Sequence, residues 1–274
     1  MSEAVAEPVA EAREHVKTAP VAHADETGFR EVPAEGGPPR KAWLWAAVTP
    51  LVTVFLVHAR RGAVAAKELL GAFPGVLVSD RWSAYSFVDA ARRQLCWAHL
   101  LRDFEWVAEF GGQAAATGKA LIEQTKLMFR WWHELKEGGL ARSGFQERMG
   151  PLMERIEALL EEGATCSHKK TAGRCRKILE LRAALWTFVC REGVEPTNNA
   201  AERALRPAVL WRKGSFGSGS ERGSRFVERM LTVAATCRQQ GRNVLDYLVA
   251  ACEAHARGEP APSLLPAAAR SAAA

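Results

Sequence analysis

The 274-residue chain has no cysteine pair spaced CxxC, no internal repeat and no apolar run long enough to cross a bilayer. Its six cysteines are scattered (Cys96, Cys166, Cys175, Cys190, Cys237 and Cys252), which argues against a disulfide framework and predicts free thiols in a reducing cytosol. Residues 42–57 come closest to a membrane span, but Thr49-Pro50 splits them into two strand-sized runs, so no membrane partner is expected. Residues 1–20 are rich in Ala and Glu and lack the apolar run of a secretory signal; they read as a disordered leader. Residues 259–274 are rich in Pro and Ala and read as a disordered tail.

What the chain does have is apolar mass. Hydrophobic residues make up 48% of it, enough for a sizeable core and against global disorder. The net charge is +6, a modest basic excess that fits a polyanion partner without specifying one. Its distribution says more. Arg203, Arg206, Arg212, Lys213, Arg222, Arg225 and Arg229 fall in one block opposed only by Glu221 and Glu228. Such a block suits phosphate contacts or a solvated helix face.

Hydrophobic periodicity divides the chain into three stretches. In the first, residues 21–27 read as a strand ending in a turn at Gly28, and residues 35–39 as a Gly/Pro loop. Residues 43–48 and 51–58 read as two strands joined at Thr49-Pro50, with a continuous apolar character that predicts central positions. A helix over 63–73, a buried strand over 75–79, a short helix over 83–91 and a strand over 94–97 follow. In the second stretch Leu121, Thr125, Met128, Trp132 and Leu135 step by helical intervals. Leu152, Ile156 and Leu159 repeat the pattern, as do Ile178, Leu181, Leu185 and Phe188. These stripes, with Trp131 and Trp132, read as packing. In the third stretch Thr197-Asn198 caps a helix that Pro207 should end, residues 214–223 read as a Gly/Ser loop, and helices over 226–237 and 244–256 close the fold. The whole is an α/β domain over 21–258 with a mixed sheet flanked by helices and an all-helical insertion over about 105–192.

Three carboxylates sit where elements begin or end. Asp25 lies on the first strand, Asp80 ends the buried strand 75–79, and Glu202 opens a helix. An acid at the C-terminal end of a parallel strand points into the crevice where open α/β sheets bind ligands. Two strand aspartates and a helix glutamate could form an all-oxygen site for hard cations, suited to phosphodiester cleavage. Singly, Asp80 reads equally as a turn aspartate and Glu202 as a first-turn helix acid. Glu26, adjacent to Asp25 on a strand, points to the opposite face and stays outside the set.

The order of motifs adds to this. Ala24-Asp25-Glu26-Thr27-Gly28, Trp43-Leu44-Trp45, Arg61-Gly62, the run from Gly75 to Asp80, Ala84-Tyr85, and Cys96-Trp97-Ala98-His99 with Arg102 and Phe104 follow one another. The block from Asn198 through Glu202 and Arg203 to Pro207, then Arg212-Lys213, completes the series. In this combination, over roughly residues 21–250, the chain resembles the catalytic region of the IS66 family of bacterial insertion-sequence transposases. The resemblance implies an RNase H-like fold and a DDE triad at Asp25, Asp80 and Glu202, holding two Mg²⁺ ions, with Mn²⁺ as a substitute. It also implies a helical insertion before the last catalytic helix. The chain departs from the family in two places. Residues 1–20 hold nothing like the family's N-terminal DNA-recognition region, and Arg212-Lys213-Gly214 stands where Arg-Lys-Asn is usual.

Other residues keep two readings each. Cys96 and His99, with Cys166, His168 and Cys175, could supply a zinc site, but the spacing is looser than structural zinc uses. The alternative is a core cysteine and a histidine at the rim of the active site, where the resemblance places His99 and Arg102 near DNA. Asn198 and Asn199 cap the helix or touch the DNA backbone. Arg61, Arg203, Arg206, Arg212 and Lys213 are the remaining DNA-contact candidates. The expected activity is metal-dependent DNA cleavage followed by strand transfer, in a bacterial cytoplasm. DNA ends and target DNA would be partners, with a homo-oligomer on DNA and accessory proteins of the element. A DNA-binding remnant without chemistry and a general RNase H-like nuclease are the alternatives.

Overall fold

The computed structural model describes residues 1–31, 38, 40–215 and 217–267. It is a mixed α/β chain that divides into two compact units, Met1–Val88 with Asn198–Ala274, and Asp89–Thr197. The strands are β1 (Val21–Glu31), β2 (Arg40–Val48), β3 (Thr53–His58), β4 (Val76–Ser79) and β5 (Arg93–Leu95), in the sheet order β3-β2-β1-β4-β5. β1 pairs antiparallel with β2 and parallel with β4, and β2 pairs antiparallel with β3.

In the first unit β1 is longer than its apolar pattern suggested. It runs through Gly28 to Glu31 because β2 pairs with it to the end, Arg30 opposite Lys41 and Glu31 opposite Arg40. The expected loop over 35–39 lies outside the described residues except Pro38. The alternation along the strands separates two cores. Ala22, Ala24, Trp45, Ala47, Val54 and Leu56 face one of them, together with α2 (Ala63–Leu70). Phe29, Ala42, Leu44, Ala46, Phe55 and Val57 face the other, where Leu205, Ala208 and Val227 pack.

β3 is the sheet's edge strand, not the central one its apolar run predicted. The run is continuous because both faces are buried and because helices also cover the open edge. α9 (Glu221–Gln239) lies along it with Glu228, Thr232 and Thr236 one turn apart. Their side chains accept the N–H groups of Val57 (2.6 Å), Phe55 (3.1 Å) and Thr53 (3.1 Å). The matching carbonyls accept from Arg225 (3.2 Å), Arg13 (2.8 Å) and the Thr236 hydroxyl (3.0 Å). An exposed edge would be a template for aggregation. Here side chains satisfy its outward polar groups at all three positions.

Arg13 belongs to a segment expected to be disordered. Residues 1–20 instead form a 3-10 turn, Glu3–Val5, and α1 (Ala6–Thr18). Val5, Val9, Ala12 and Val16, spaced by 4, 3 and 4, make one buried stripe that the surrounding Ala and Glu hid from a reading of composition. The tail differs from expectation as well. Leu264 is fully buried, and the Pro262 and Leu264 carbonyls accept hydrogen bonds from Tyr247 and Gln240. Residues 268–274 lie outside the described residues.

α8 (Asn199–Ser215) continues through Pro207. Proline removes the hydrogen bond to the carbonyl of residue 203, but Pro207 and Arg203 are both exposed, so water can serve that carbonyl. The expected 214–223 loop shrinks accordingly, with Ser220 capping α9 through the Gly223 N–H (3.0 Å). α10 (Val244–Ala256) has the expected bounds.

The second unit holds α3 (Trp97–Ala108), α4 (Gly112–Lys136), α5 (Arg142–Thr165), α6 (Lys169–Leu179) and α7 (Thr187–Cys190). Trp132 meets Phe145 and Phe188 edge-on with centroids 5.8 and 5.5 Å away. The stripe from Ile178 to Phe188 is broken between α6, a 3-10 turn and α7 rather than carried by one helix. The short helix over 83–91 is two 3-10 turns, Ser83–Tyr85 and Ala90–Arg92.

Replacing Thr232 by Val strands the Phe55 N–H in a buried site. Urea unfolding should show a loss of ~1–3 kcal/mol. An unchanged midpoint would mean that the α9 clamp on β3 contributes nothing.

Candidate active site

β1 and β4 run parallel with His23 opposite Val78, so the same register carried two residues on sets Asp25 beside Asp80. Neighbouring strands lie roughly 4.8 Å apart. Asp25 pairs across β2 with Ala46, whose side chain faces the core that α8 covers. Glu202 sits in the first turn of α8, which packs on β1 and β2.

α8 is tied to β1 along its length. The Asn198 amide donates to the Ala24 carbonyl at 2.9 Å, while the Asn198 carbonyl accepts the Glu202 N–H at 3.2 Å. One residue thus starts the helix and pins it next to Asp25. Fourteen residues on, an Arg212 guanidinium nitrogen donates to the Thr27 hydroxyl at 3.1 Å. The loop after α8 then bonds Ser218 N–H to the Arg30 carbonyl at 3.0 Å. Gly217 makes that approach at φ 105°, and a Cβ there would lie 2.2 Å from the Arg30 oxygen.

The electrostatics follow from this crowding. The Asp25 carboxyl is pushed up to about 7, first by burial and then by the negative charges of Glu26, Asp80 and Glu202. The Glu26 N–H that it accepts at 2.9 Å offsets part of the rise. Four carboxylates therefore share one neighbourhood. Asp80 also accepts the Trp82 N–H at 2.8 Å, so its role in a turn and its place in the cluster coexist.

Glu26 turns to the other face. It accepts from the Tyr85 hydroxyl and from Arg61 Nε, each at 2.8 Å. Burial raises its pKa against the pull of these two donors. Arg61 in turn lies between the rings of Trp43 (4.8 Å) and Trp82 (4.4 Å). Sequence reasoning placed Arg61 on DNA; the structure gives it a buried carboxylate and two aromatic faces. Asn198, also assigned to DNA, is fully buried and cannot reach it in this geometry. No one-dimensional signal marked either role, because each depends on a partner more than 30 residues away.

Asn199, Arg203, Arg206 and Lys213 are exposed on α8, and Arg212 is half-buried against Thr27. Arg225 and Arg229, part of the same basic block, are engaged by Glu228 and Glu3. In the second unit His99 lies in the first turn of α3 and exposed Arg102 bonds the Ala98 carbonyl. His168, one of the zinc candidates, caps α6 through the Thr171 N–H.

The Asp25 shift carries a stability consequence. Its folded value, about 7, lies above the ordinary 3.8, so the folded chain binds the extra proton between those limits. The protonated form's contribution is complete below pH ~4 and lost as pH rises through about 7. Asp25→Asn should therefore melt above the wild type at pH 8, by about 3–6 °C after discounting for solvent screening. The gap should close toward pH 4. Differential scanning fluorimetry across that range checks it; superimposed curves would mean that Asp25 sits in an ordinary environment.

The profile of the Transposase IS66 family matches residues 1–226. Two curated proteins of Sinorhizobium fredii, each described as uncharacterized, are similar to the chain. y4qI is 30% identical over 92% of this chain and 50% of its own length. y4hP is 28% identical over 69% of this chain and 38% of its own. The chain thus spans about half the length, or less, of the curated relatives it matches. With the family profile covering most of its residues, the chain belongs to the IS66 family of transposases.

Proposed function

We propose that this chain is the catalytic core of an RNase H-like DDE transposase. It would cleave phosphodiesters at transposon ends and transfer the freed 3′-hydroxyl to target DNA, with Asp25, Asp80 and Glu202 as the triad. The supporting observation is that the charges of Asp80 and Glu202 act on the buried Asp25 carboxyl. Such a set is costly by itself and fits a hard divalent cation with oxygen ligands. Two Mg²⁺ ions, or Mn²⁺ in their place, would lower the pKa of a bound water and neutralise charge on the leaving oxygen.

The chain's own groups divide the remaining work. Asp25 and Asp80 present carboxylates from adjacent parallel strands, and Glu202 brings a third from the α8 face. Asn198 holds Glu202 at that depth through the Ala24 carbonyl. Arg203, Arg206 and Lys213 leave their charges in solvent, available to phosphates. The triad offers no protein nucleophile, so no covalent protein–DNA link forms. Joining two ends to one target calls for at least two protomers on the DNA, with accessory proteins of the element as further partners. Among the described residues no helix is long and apolar enough to cross a membrane. The proposed place of action is the bacterial cytoplasm.

Nicking of supercoiled plasmid at low salt with Mn²⁺ tests the reading. Wild type should convert plasmid to the open circle, and Asp80→Asn should leave it supercoiled. Equal nicking by both proteins would remove Asp80 from the chemistry. Binding without nicking by either would favour a DNA-binding remnant.

A further inference from the structure

We infer a second nucleic-acid contact, separate from the carboxylate cluster, at the far end of the β1–β2 pair. A cleft of about 830 Å³ opens there, lined by Arg30, Arg40, Lys41, Arg212 and Lys213 with the backbone around Gly28 and Gly217. Its proposed ligand is the phosphodiester backbone of the same DNA whose cleavage is proposed above, and it rests on that reading.

Five cations among the described residues line this cleft. Glu31 is the acid at the strand end; it is buried and already holds Arg40 at 2.8 Å, with Ser224 bonded to its other oxygen. Arg30 and Lys41 stand directly opposite each other in the antiparallel register, and both are exposed. Like charges in that position destabilise a sheet. Lys41 rests its ammonium over the Trp43 ring, 4.9 Å from the centroid, and the exposed pair still leaves two positive charges at the cleft for an anion to meet. α8 adds Arg212 and Lys213 from its last turn, and Gly217 lets the next loop close against Arg30.

Two independent rulers place the cleft. Asp25 to Arg30 is five residues of strand, roughly 17 Å, and an odd step, so Arg30 and its partner Lys41 approach the strand end from the face opposite to Asp25. Glu202 to Arg212 is ten residues of helix, roughly 15 Å. Along a duplex rising 3.4 Å per base pair, either span is about five base pairs. The cleft would thus grip the backbone about five base pairs from the phosphate at the carboxylates, setting register without reading bases.

Duplex binding measured by fluorescence anisotropy across a salt series tests this without needing catalysis. Arg30→Ala combined with Lys41→Ala should flatten the plot of log affinity against log salt by about 1.8, two phosphates' worth. Lys41→Glu, which places opposite charges across the strands, should raise the melting temperature while weakening binding. On plasmid, all three proteins should keep the wild-type Mn²⁺ requirement, so loss of this contact is distinct from loss of the Asp25 cluster. An unchanged salt slope in the double variant, or unchanged affinity in Lys41→Glu, would overturn the second contact even if Asp80→Asn abolishes nicking.

Discussion

The attachment of α8 to β1 is the constraint on which the first unit's chemistry depends. Asn198 pins the helix start to Ala24, Arg212 ties its last turn to Thr27, and Ser218 bonds Arg30 beyond it. These ties run along β1 from Ala24 to Arg30. Glu202 brings its charge within reach of Asp25 at one end, and Arg212 and Lys213 line the basic cleft at the other. A shift of α8 by one turn, about 5.4 Å, would move both groups together. The carboxylate cluster and the basic cleft are thus two ends of one packed pair.

That pair works against local stability at both ends. At one end four carboxylates crowd together, and burial drives Asp25 toward its neutral form. At the other, Arg30 faces Lys41 across the sheet. Neither arrangement would survive a design aimed at stability alone. The offset comes from elsewhere in the unit: two apolar cores on either side of the sheet, and an edge strand whose polar groups α9 and α1 satisfy. Even the basic block of the third stretch is divided by this logic. Arg225 and Arg229 hold the scaffold, while Arg203, Arg206 and Lys213 remain in solvent.

The outcome at β3 shows why apolar patterns alone misplace strands. A continuous apolar run normally signals burial on both faces and hence a central position. β3 meets the first condition but not the second, because hydrogen-bonding side chains one turn apart on α9 stand in for a neighbouring strand. Glu228, Thr232 and Thr236 carry no mark of that role in a sequence, since Thr and Glu on a helix usually face water. The same limit hid α1, whose stripe of small apolar residues is too weak to stand out until β3 and α9 are there to cover it.

Local sequence by itself determined what local physics controls. Strand and helix periods, the turn at Thr49-Pro50 and the bounds of α10 were legible. So were the positions of Asp80 just after β4 and of Glu202 in the first turn of α8, whereas Asp25 lies in the middle of β1 because that strand runs on to Glu31. The opposite orientations of Asp25 and Glu26 also follow from the two-residue period of a strand. Tertiary structure decided everything that rests on long-range pairing. It buried Asn198 against the Ala24 carbonyl, tied exposed Arg61 to buried Glu26, ordered the N-terminal twenty residues, and carried α8 through Pro207. It also brought Lys41 opposite Arg30, eleven residues apart in the chain, by pairing β2 with β1. The reason is the same in each case. A side chain's partner, and so its role, is set by which backbone the fold brings beside it, and spacing along one chain does not encode that.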